Sequence, residues 1–324
     1  KGASPVSVEL SVVVPVFNEE ENLPELYRRL KAVLSTAVSS WEVLFVDDGS
    51  RDRSWELISG LAESDPHVRG LRFSRNFGHQ MAFAAGLDHA RGQAVVIMDA
   101  DLQDPPELIP QLLAKYREGF EVVYAVRVAR HGETFFKKLT AKLFYRLLAR
   151  ITSVQIPLDT GDFRLMGRRA VEAFRRLPER HRFTRGLVAW LGFPQTGVPY
   201  ERAPRHAGTT KYPLRKMVRF AVDAITSFSH VPLQLATWLG FIVSGFAFFY
   251  ILVVIVLKFA GISWPGYTSI MAAILFLGGV QLVMVGLLGE YVGRIYDEVK
   301  RRPLYLVAEE VGTGCGESVE QTPR

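Results

Sequence analysis

The sequence predicts an α/β domain, a mostly parallel sheet with helices on both faces, followed by a two-helix transmembrane hairpin. Three observations carry this. Short apolar, β-branched runs alternate with amphipathic helical patterns over the first two thirds of the chain. Acidic or polar turns follow those runs. Near the end, no charged residue occurs from Val231 to Leu257, nor from Phe259 to Gly289.

Val12 to Val16, Val43 to Val46, Val68 to Phe73, Ala94 to Met98 and Val122 to Val126 read as buried strands. Between them, Asn22 opens a helix with Pro24 and Glu25 in its first turn, a capping signature. Gln80 to His89 and Pro106 to Glu118 are further helices, with Gly92 and Gly119 at or near the left-handed capping position. Such alternation implies a sheet covered on both faces, with ligands bound at the carboxyl ends of its strands.

Each uncharged stretch near the end exceeds the roughly 20 residues that cross a bilayer. Gly261 to Gly266 interrupts them and carries Trp264. Lys211, Arg215, Lys216 and Arg219 precede the pair, and Arg294, Lys300, Arg301 and Arg302 follow it. This asymmetry places both hairpin ends and the first domain in the cytoplasm. Phe135 to Ile151 and Lys211 to His230 mix Lys and Arg with Phe, Leu and Tyr, as helices of the headgroup layer do. The expected organisation is a catalytic domain over 7–210, a juxtamembrane helix over 211–230, the hairpin over 231–290 and a tail over 291–324. The tail after about Ala308 reads as loosely ordered.

Of 324 residues, 48% are hydrophobic and 22% charged, which argues against a disordered chain. The net charge of +6 suits an anionic partner or simply a solvated basic surface. The lone Cys315 excludes an intrachain disulfide and a thiolate metal cluster. The first residues hold no apolar signal-peptide core.

Asp99-Ala100-Asp101 follows the strand at Ala94 to Met98. Two carboxylates so spaced can reach one small space, and Mg²⁺ is typically held by one or two carboxylates together with substrate phosphates. Gln103 and Asp104 come next. Asp47-Asp48-Gly49-Ser50 repeats the arrangement at another strand end, although Asp, Gly and Ser also make ordinary turns. Phe17 and Glu19 end the first strand, and Arg75 follows the third. Phe17 has a stacking role or a packing role.

Taken in order, the motifs P-V-F-N-E-E, V-D-D-G-S, S-R-N-F-G-H-Q, M-D-A-D-L-Q-D-P-P-E, Y-A-V-R, D-T-G-D-F-R-L-M and T-K-Y resemble glycosyltransferase family 2 enzymes with a GT-A (Rossmann-like) fold. More narrowly they are similar to the polyprenyl-phosphate glycosyltransferases, among them bactoprenol glucosyltransferases and dolichol-phosphate mannose synthases. The ending from Gly289 to Pro303 resembles the bacterial two-span branch, which implies a multi-pass protein of the bacterial inner (plasma) membrane, and the resemblance extends from about Leu10 to Val307. It implies that Pro15, Phe17, Glu19 and Asp48 hold the nucleoside, with Arg75 and Arg164 also on the nucleotide sugar. Asp99, Asp101 and Gln103 would hold the diphosphate and a Mg²⁺ or Mn²⁺ ion. Arg127, Lys137, Lys138 and Lys211 would meet the lipid phosphate. Asp162 and Arg164 would sit in a loop near the sugar, with Asp162, Asp101 and Arg127 as the catalytic group.

The implied reaction is inverting transfer of a hexose, UDP-glucose being the favoured donor, to undecaprenyl phosphate. UDP-N-acetylhexosamine, UDP-galactose, aminoarabinose donors and GDP-mannose stay open. The expected partners are the donor, the lipid acceptor, the membrane and a second copy in a homo-oligomer, with no nucleic acid. The acceptor phosphate, with a second pKa near about 6, is largely a dianion and hardly needs a base. Asp162 then positions the sugar or binds a basic partner. A processive polymerase is disfavoured by the lack of an Arg-Trp pair and by only two spans. A membrane scaffold with a degenerate transferase domain is disfavoured by the intact acidic motifs. Removing everything from Val231 onward is expected to leave donor binding intact and to impair transfer to long-chain lipid.

Overall fold

The structure, a computed structural model, describes residues 8–127, 160–177, 179–180, 182, 184–200, 231–261 and 266–312. The candidate interface helices at Phe135 to Ile151 and Lys211 to His230, the lysines at 137, 138 and 211, and Trp264 lie outside the described residues.

Eight strands form one sheet: β1 (Leu10–Val16), β2 (Trp41–Asp47), β3 (Val68–Phe73), β4 (Ala94–Ile97), β5 (Val122–Arg127), β6 (Thr160–Gly167), β7 (Gln195–Tyr200) and β8 (Val307–Val311). Their order is β7-β5-β6-β4-β1-β2-β3-β8. β6 runs antiparallel to both β4 and β5, β8 runs antiparallel to β3, and every other pairing is parallel. The expected mostly parallel sheet is present, with two reversed strands.

All residues of β1 and β2 are buried, because both sheet faces are covered. Val12, Val14, Val43 and Phe45 pack with one layer, while Val13, Leu44, Val46, Val95 and Ile97 pack with the other. The first layer is built by α1 (Leu23–Ala37), α2 (Ser54–Ser64) and α4 (Ile109–Arg117), through Leu26, Leu30, Leu34, Ile58 and Leu112. The second comes from α3 (His79–His89), α5 (Arg168–Arg175) and α6 (Thr184–Trp190), through Phe83, Leu87, Phe174 and Leu187. Pro15 sits in β1 without breaking the sheet. The Val13 carbonyl accepts from Met98 N and the Val16 carbonyl from Asp48 N. Alternation therefore turns Pro15 toward β4, whose ladder with β1 has already ended at Ile97.

Several expectations change. α1 starts after Asn22, but the Asn22 side chain does not cap it; its Nδ2 donates to Glu19 Oε2 at 2.6 Å, and Leu23 N donates to Glu19 O. Gly119 has the capping φ of 104°, whereas Gly92 does not cap α3. A Cβ on Gly92 would stand 2.5 Å from Ser11 N, so this glycine allows close backbone approach. Asp162 and Arg164 lie in strand β6 rather than in a loop. The segment after Ala308 is not loose up to Val311, since it forms β8 on the edge of β3.

Two long helices follow, α7 (Val231–Phe259) and α8 (Tyr267–Lys300). Ala236–Phe259 and Ser269–Lys300 are long and apolar enough to cross a membrane, with mean hydropathies of 2.7 and 2.3. Large side chains such as Phe246, Phe249, Leu282 and Val283 are exposed along them.

At the sheet end remote from the acidic turns, Asp65 joins α1 to the start of β3. It accepts from Tyr27 Oη and Lys31 Nζ at 2.6 Å each and from His67 N at 3.0 Å. Burial raises its pKa, but these bonds outweigh that and hold the carboxyl well below the usual range. A carboxyl depressed on folding stabilises above its unfolded pKa of about 3.9 and loses that contribution as pH falls below it. We expect Asp65→Asn to destabilise the protein by about 2 kcal/mol at neutral pH. Thermal melts of both forms should begin to approach each other only below about pH 4, and converge fully only at the depressed folded-state value.

Candidate active site

Strand reversal at β6 gathers the site. The β4–β6 register pairs Ile97 with Arg164. Continued past the end of β4, it sets Asp99 opposite Asp162. His79, the first residue of α3, bridges them: its Nε2 lies 3.5 Å from Asp99 Oδ1 and 3.5 Å from Asp162 Oδ2. Arg185 on α6 donates to Asp162 through Nε at 3.0 Å and Nη2 at 3.4 Å. Buried Arg164 stands 3.7 Å from Asp162 Oδ1 and donates to the Gly161 carbonyl at 3.0 Å.

These contacts separate the two aspartates electrostatically. For Asp162, burial favours the neutral form, but His79, Arg185 and Arg164 overcome it and hold the carboxyl far below the ordinary range. Burial presses the Arg164 guanidinium down to about 10, which leaves it charged at neutral pH. Asp99 moves the other way, to about 6: burial dominates, and Asp104, Asp162 and Asp101 add repulsion that His79 only partly offsets. Burial lowers the His79 pKa, but its hydrogen bond to Asp162 and the charge of Asp99 raise it overall.

The turn after β4 is tightly held. Asp101 Oδ1 accepts from Gln103 N at 3.1 Å, and Leu102 between them has a left-handed φ of 59°. Buried Asp104 accepts from Tyr200 Oη at 2.7 Å, tying the turn to the end of β7. Gln103 Oε1 is buried without a hydrogen-bond partner. Among the described residues, no three His, Cys, Asp or Glu side chains converge as a closed metal site. The turn instead offers one or two carboxylates, a crowded Asp99 and an orphaned amide oxygen. That donor set fits a hard divalent cation that completes its shell with phosphate oxygens and water.

Along the same carboxyl edge of the sheet, a cavity of about 520 Å³ lies at the ends of β1, β2 and β3. Phe17, Gly49, Ser50, Arg72, Arg75 and Glu309 are among its lining residues. Phe17 is 45% exposed, so packing does not consume its ring. Arg75 lies over the Phe77 ring at 4.0 Å. Gly49 adopts φ 72°, and a Cβ there would meet the Arg75 carbonyl carbon at 2.6 Å. Only glycine lets the two loops approach this closely.

The expected site residues therefore divide. Asp99, Asp162 and Arg164 are brought together, with Asp101 and Gln103 in the adjoining turn. Phe17 and Arg75 line the cavity, whereas Pro15 is packed in β1. Glu19 is bonded to Asn22 and, through its N–H, to Ser54. Asp48 accepts from Phe77 N at 2.7 Å and Gly78 N at 3.0 Å, so its carboxylate steadies the start of α3 and hence His79. Arg127 closes β5 opposite Tyr200. His79, Arg185, Arg72 and Glu309 were missed. His79 stood within a quoted motif, while Arg185 and Glu309 belong to elements whose short patterns gave no signal.

Residues 11–175 match Glycosyl transferase family 2, and residues 231–295 match the GtrB C-terminal hairpin. The chain belongs to glycosyltransferase family 2 and has its GT-A-like mixed sheet. An uncharacterized glycosyltransferase of Bacillus subtilis (strain 168), YkcC, is 52% identical over 306 residues, covering 94% of this chain and 95% of its own. The uncharacterized glycosyltransferase sll0501 of Synechocystis is 49% identical over 308 residues, 94% and 96% respectively. A bactoprenol glucosyl transferase of Shigella phage SfV is 44% identical over 305 residues, 94% and 99% respectively.

Gly49→Ala should cost about 2 kcal/mol or more, because a side chain there is strained in φ and collides with backbone. Differential scanning fluorimetry of the purified variant checks the size of the loss.

Proposed function

We propose that this chain transfers a hexose from a UDP-sugar, glucose first among the candidates, to polyprenyl phosphate at the cytoplasmic face of a membrane. The carrying observation is the acidic cluster of Asp99, Asp101 and Asp162 on the same sheet edge as a cavity of about 520 Å³, in a chain with two membrane-length helices. Similarity along nearly the whole chain to a bactoprenol glucosyl transferase supports the choice of acceptor. The basic residues Arg294, Lys300, Arg301 and Arg302 at the end of α8 support a cytoplasmic location for that end.

Phe17 and Arg75 receive the nucleoside in the cavity. Asp99, Asp101 and Gln103 hold a divalent cation, which when bound neutralises charge growing on the diphosphate leaving group. The acceptor phosphate oxygen attacks the anomeric carbon from the face opposite the leaving group, inverting the configuration. Cationic side chains lower the repulsion between anionic acceptor and anionic donor. Arg127 at the end of β5, with Lys137, Lys138 and Lys211, is assigned to that acceptor phosphate.

Asp162 is a poor base, since three cationic neighbours stabilise its anion. It serves as a fixed negative anchor that orients His79 and Arg185 around the sugar site. Mass spectrometry of undecaprenyl phosphate incubated with a panel of nucleotide sugars tests the donor. A panel yielding no glycolipid would refute the reading. Asp101→Asn should lower kcat at least about 100-fold. Asp162→Asn should reduce turnover at neutral pH less than Asp101→Asn does; a larger loss would make Asp162 a base after all.

A further inference from the structure

The nucleotide cavity is not closed by the first two hundred residues alone. Its far wall is Ala308 and Glu309, on the strand that returns from the membrane hairpin. β8 pairs with β3 so that Glu309 stands opposite Arg72, and the ladder is irregular just beyond, between Arg72 and Phe73. Glu309 Oε1 accepts from Arg72 Nη1 at 2.9 Å, and its Oε2 accepts from Trp55 Nε1 at 3.0 Å. The Arg72 guanidinium also lies over the Trp55 ring at 5.7 Å, with Nε 3.6 Å from Asp47 Oδ2. Arg72 is thus fixed from three sides at the cavity wall.

This pair contributes little to folding as an ion pair. The Glu309 side chain is 53% exposed and Arg72 33%, and such pairs in water add about 0–1 kcal/mol. Their geometry has a different consequence. A guanidinium carries five N–H donors. Those beyond Nη1 and Nε remain at a wall shared with Phe17 and Gly49. A nucleobase stacked there would present carbonyl oxygens, and an arginine held in place loses less freedom on binding them than a mobile one.

We propose that Glu309 is a positioning residue of the nucleotide site, holding Arg72 to donate to a nucleobase carbonyl of the donor, so that the chain following the second span completes donor binding. This rests on the reading of the cavity as the nucleotide site. β8 is docked well beyond this one contact. Tyr305 donates to Asp88 at 3.0 Å and stacks on Phe73 at 5.1 Å, and Ser74 N donates to Leu306 O at 3.0 Å. Only a short stretch separates Tyr305 from the end of α8 at Lys300. The expectation that a chain cut at Val231 keeps donor binding is revised accordingly, since the cut removes β8 with the hairpin.

The test uses the full chain in phospholipid nanodiscs, with UDP as the binding probe and undecaprenyl phosphate as acceptor. Glu309→Ala should weaken UDP binding and raise the KM for the UDP-sugar about tenfold, with kcat within about twofold of wild type. Arg72→Ala should do the same, and the double variant should lose no more than either alone. Glu309→Gln keeps an acceptor oxygen for Arg72 and should fall between. A merely structural strand would instead lower the melting temperature or kcat and leave KM unchanged. That outcome, or wild-type UDP affinity in Glu309→Ala, overturns the proposal while leaving the site reading intact. If the wild-type protein binds no UDP although it transfers sugar from another nucleotide, the probe is changed to that nucleoside diphosphate and the same comparison applies. If it binds no nucleoside diphosphate at all, both readings fall.

Discussion

The site depends on holding several carboxylates against their mutual repulsion at one edge of the sheet. Asp99, Asp101, Asp104 and Asp162 converge there, and Coulomb repulsion in a partly buried space is severe. The fold resolves it unevenly. Asp162 receives His79, Arg164 and Arg185 and remains an anion. Asp104 is tied to Tyr200. Asp99 is buried with too little positive charge beside it, and its affinity for a proton rises, chiefly through that burial. A site in that condition favours a cation, and a diphosphate can follow the cation in.

Two structural decisions create this balance. The reversed strand β6 enters beside β4 and carries Asp162 and Arg164 to the carboxyl edge from the opposite direction. Asp48, on a different strand end, secures the amides of Phe77 and Gly78 and so fixes the point from which His79 projects. The cavity and the acidic cluster are therefore mechanically joined through the start of α3.

The hairpin adds a further constraint. α7 and α8 expose apolar side chains around their circumference, a surface that suits lipid and not water. The chain does not end in that layer. It returns through Tyr305 to β8, which covers the edge of β3 and itself becomes the outer strand, short and acidic. Membrane anchor and catalytic domain are thereby parts of one folded unit.

Much of this was legible in the sequence. β-branched runs marked β1 to β5 because strands buried on both faces must be apolar throughout. Asp99 and Asp101 were legible as a site because they directly follow such a run. The uncharged stretches marked α7 and α8 because a bilayer imposes length and apolarity alone. Less was legible where local pattern is weak. β6 carries Asp162 and Arg164 as inward charges, so it did not read as a buried strand, and Asp162 was placed in a loop. β8 is short and acidic, and its strand state comes from the free edge of β3. Sequence alone determined β1 to β5, the two long apolar helices and the acidic turn, since each follows from local periodicity and solvation. Only the tertiary structure decided which carboxylate is neutralised and which stays crowded by other carboxylates, and that the tail lines the cavity at the end of β3, because both depend on contacts between residues far apart in the chain.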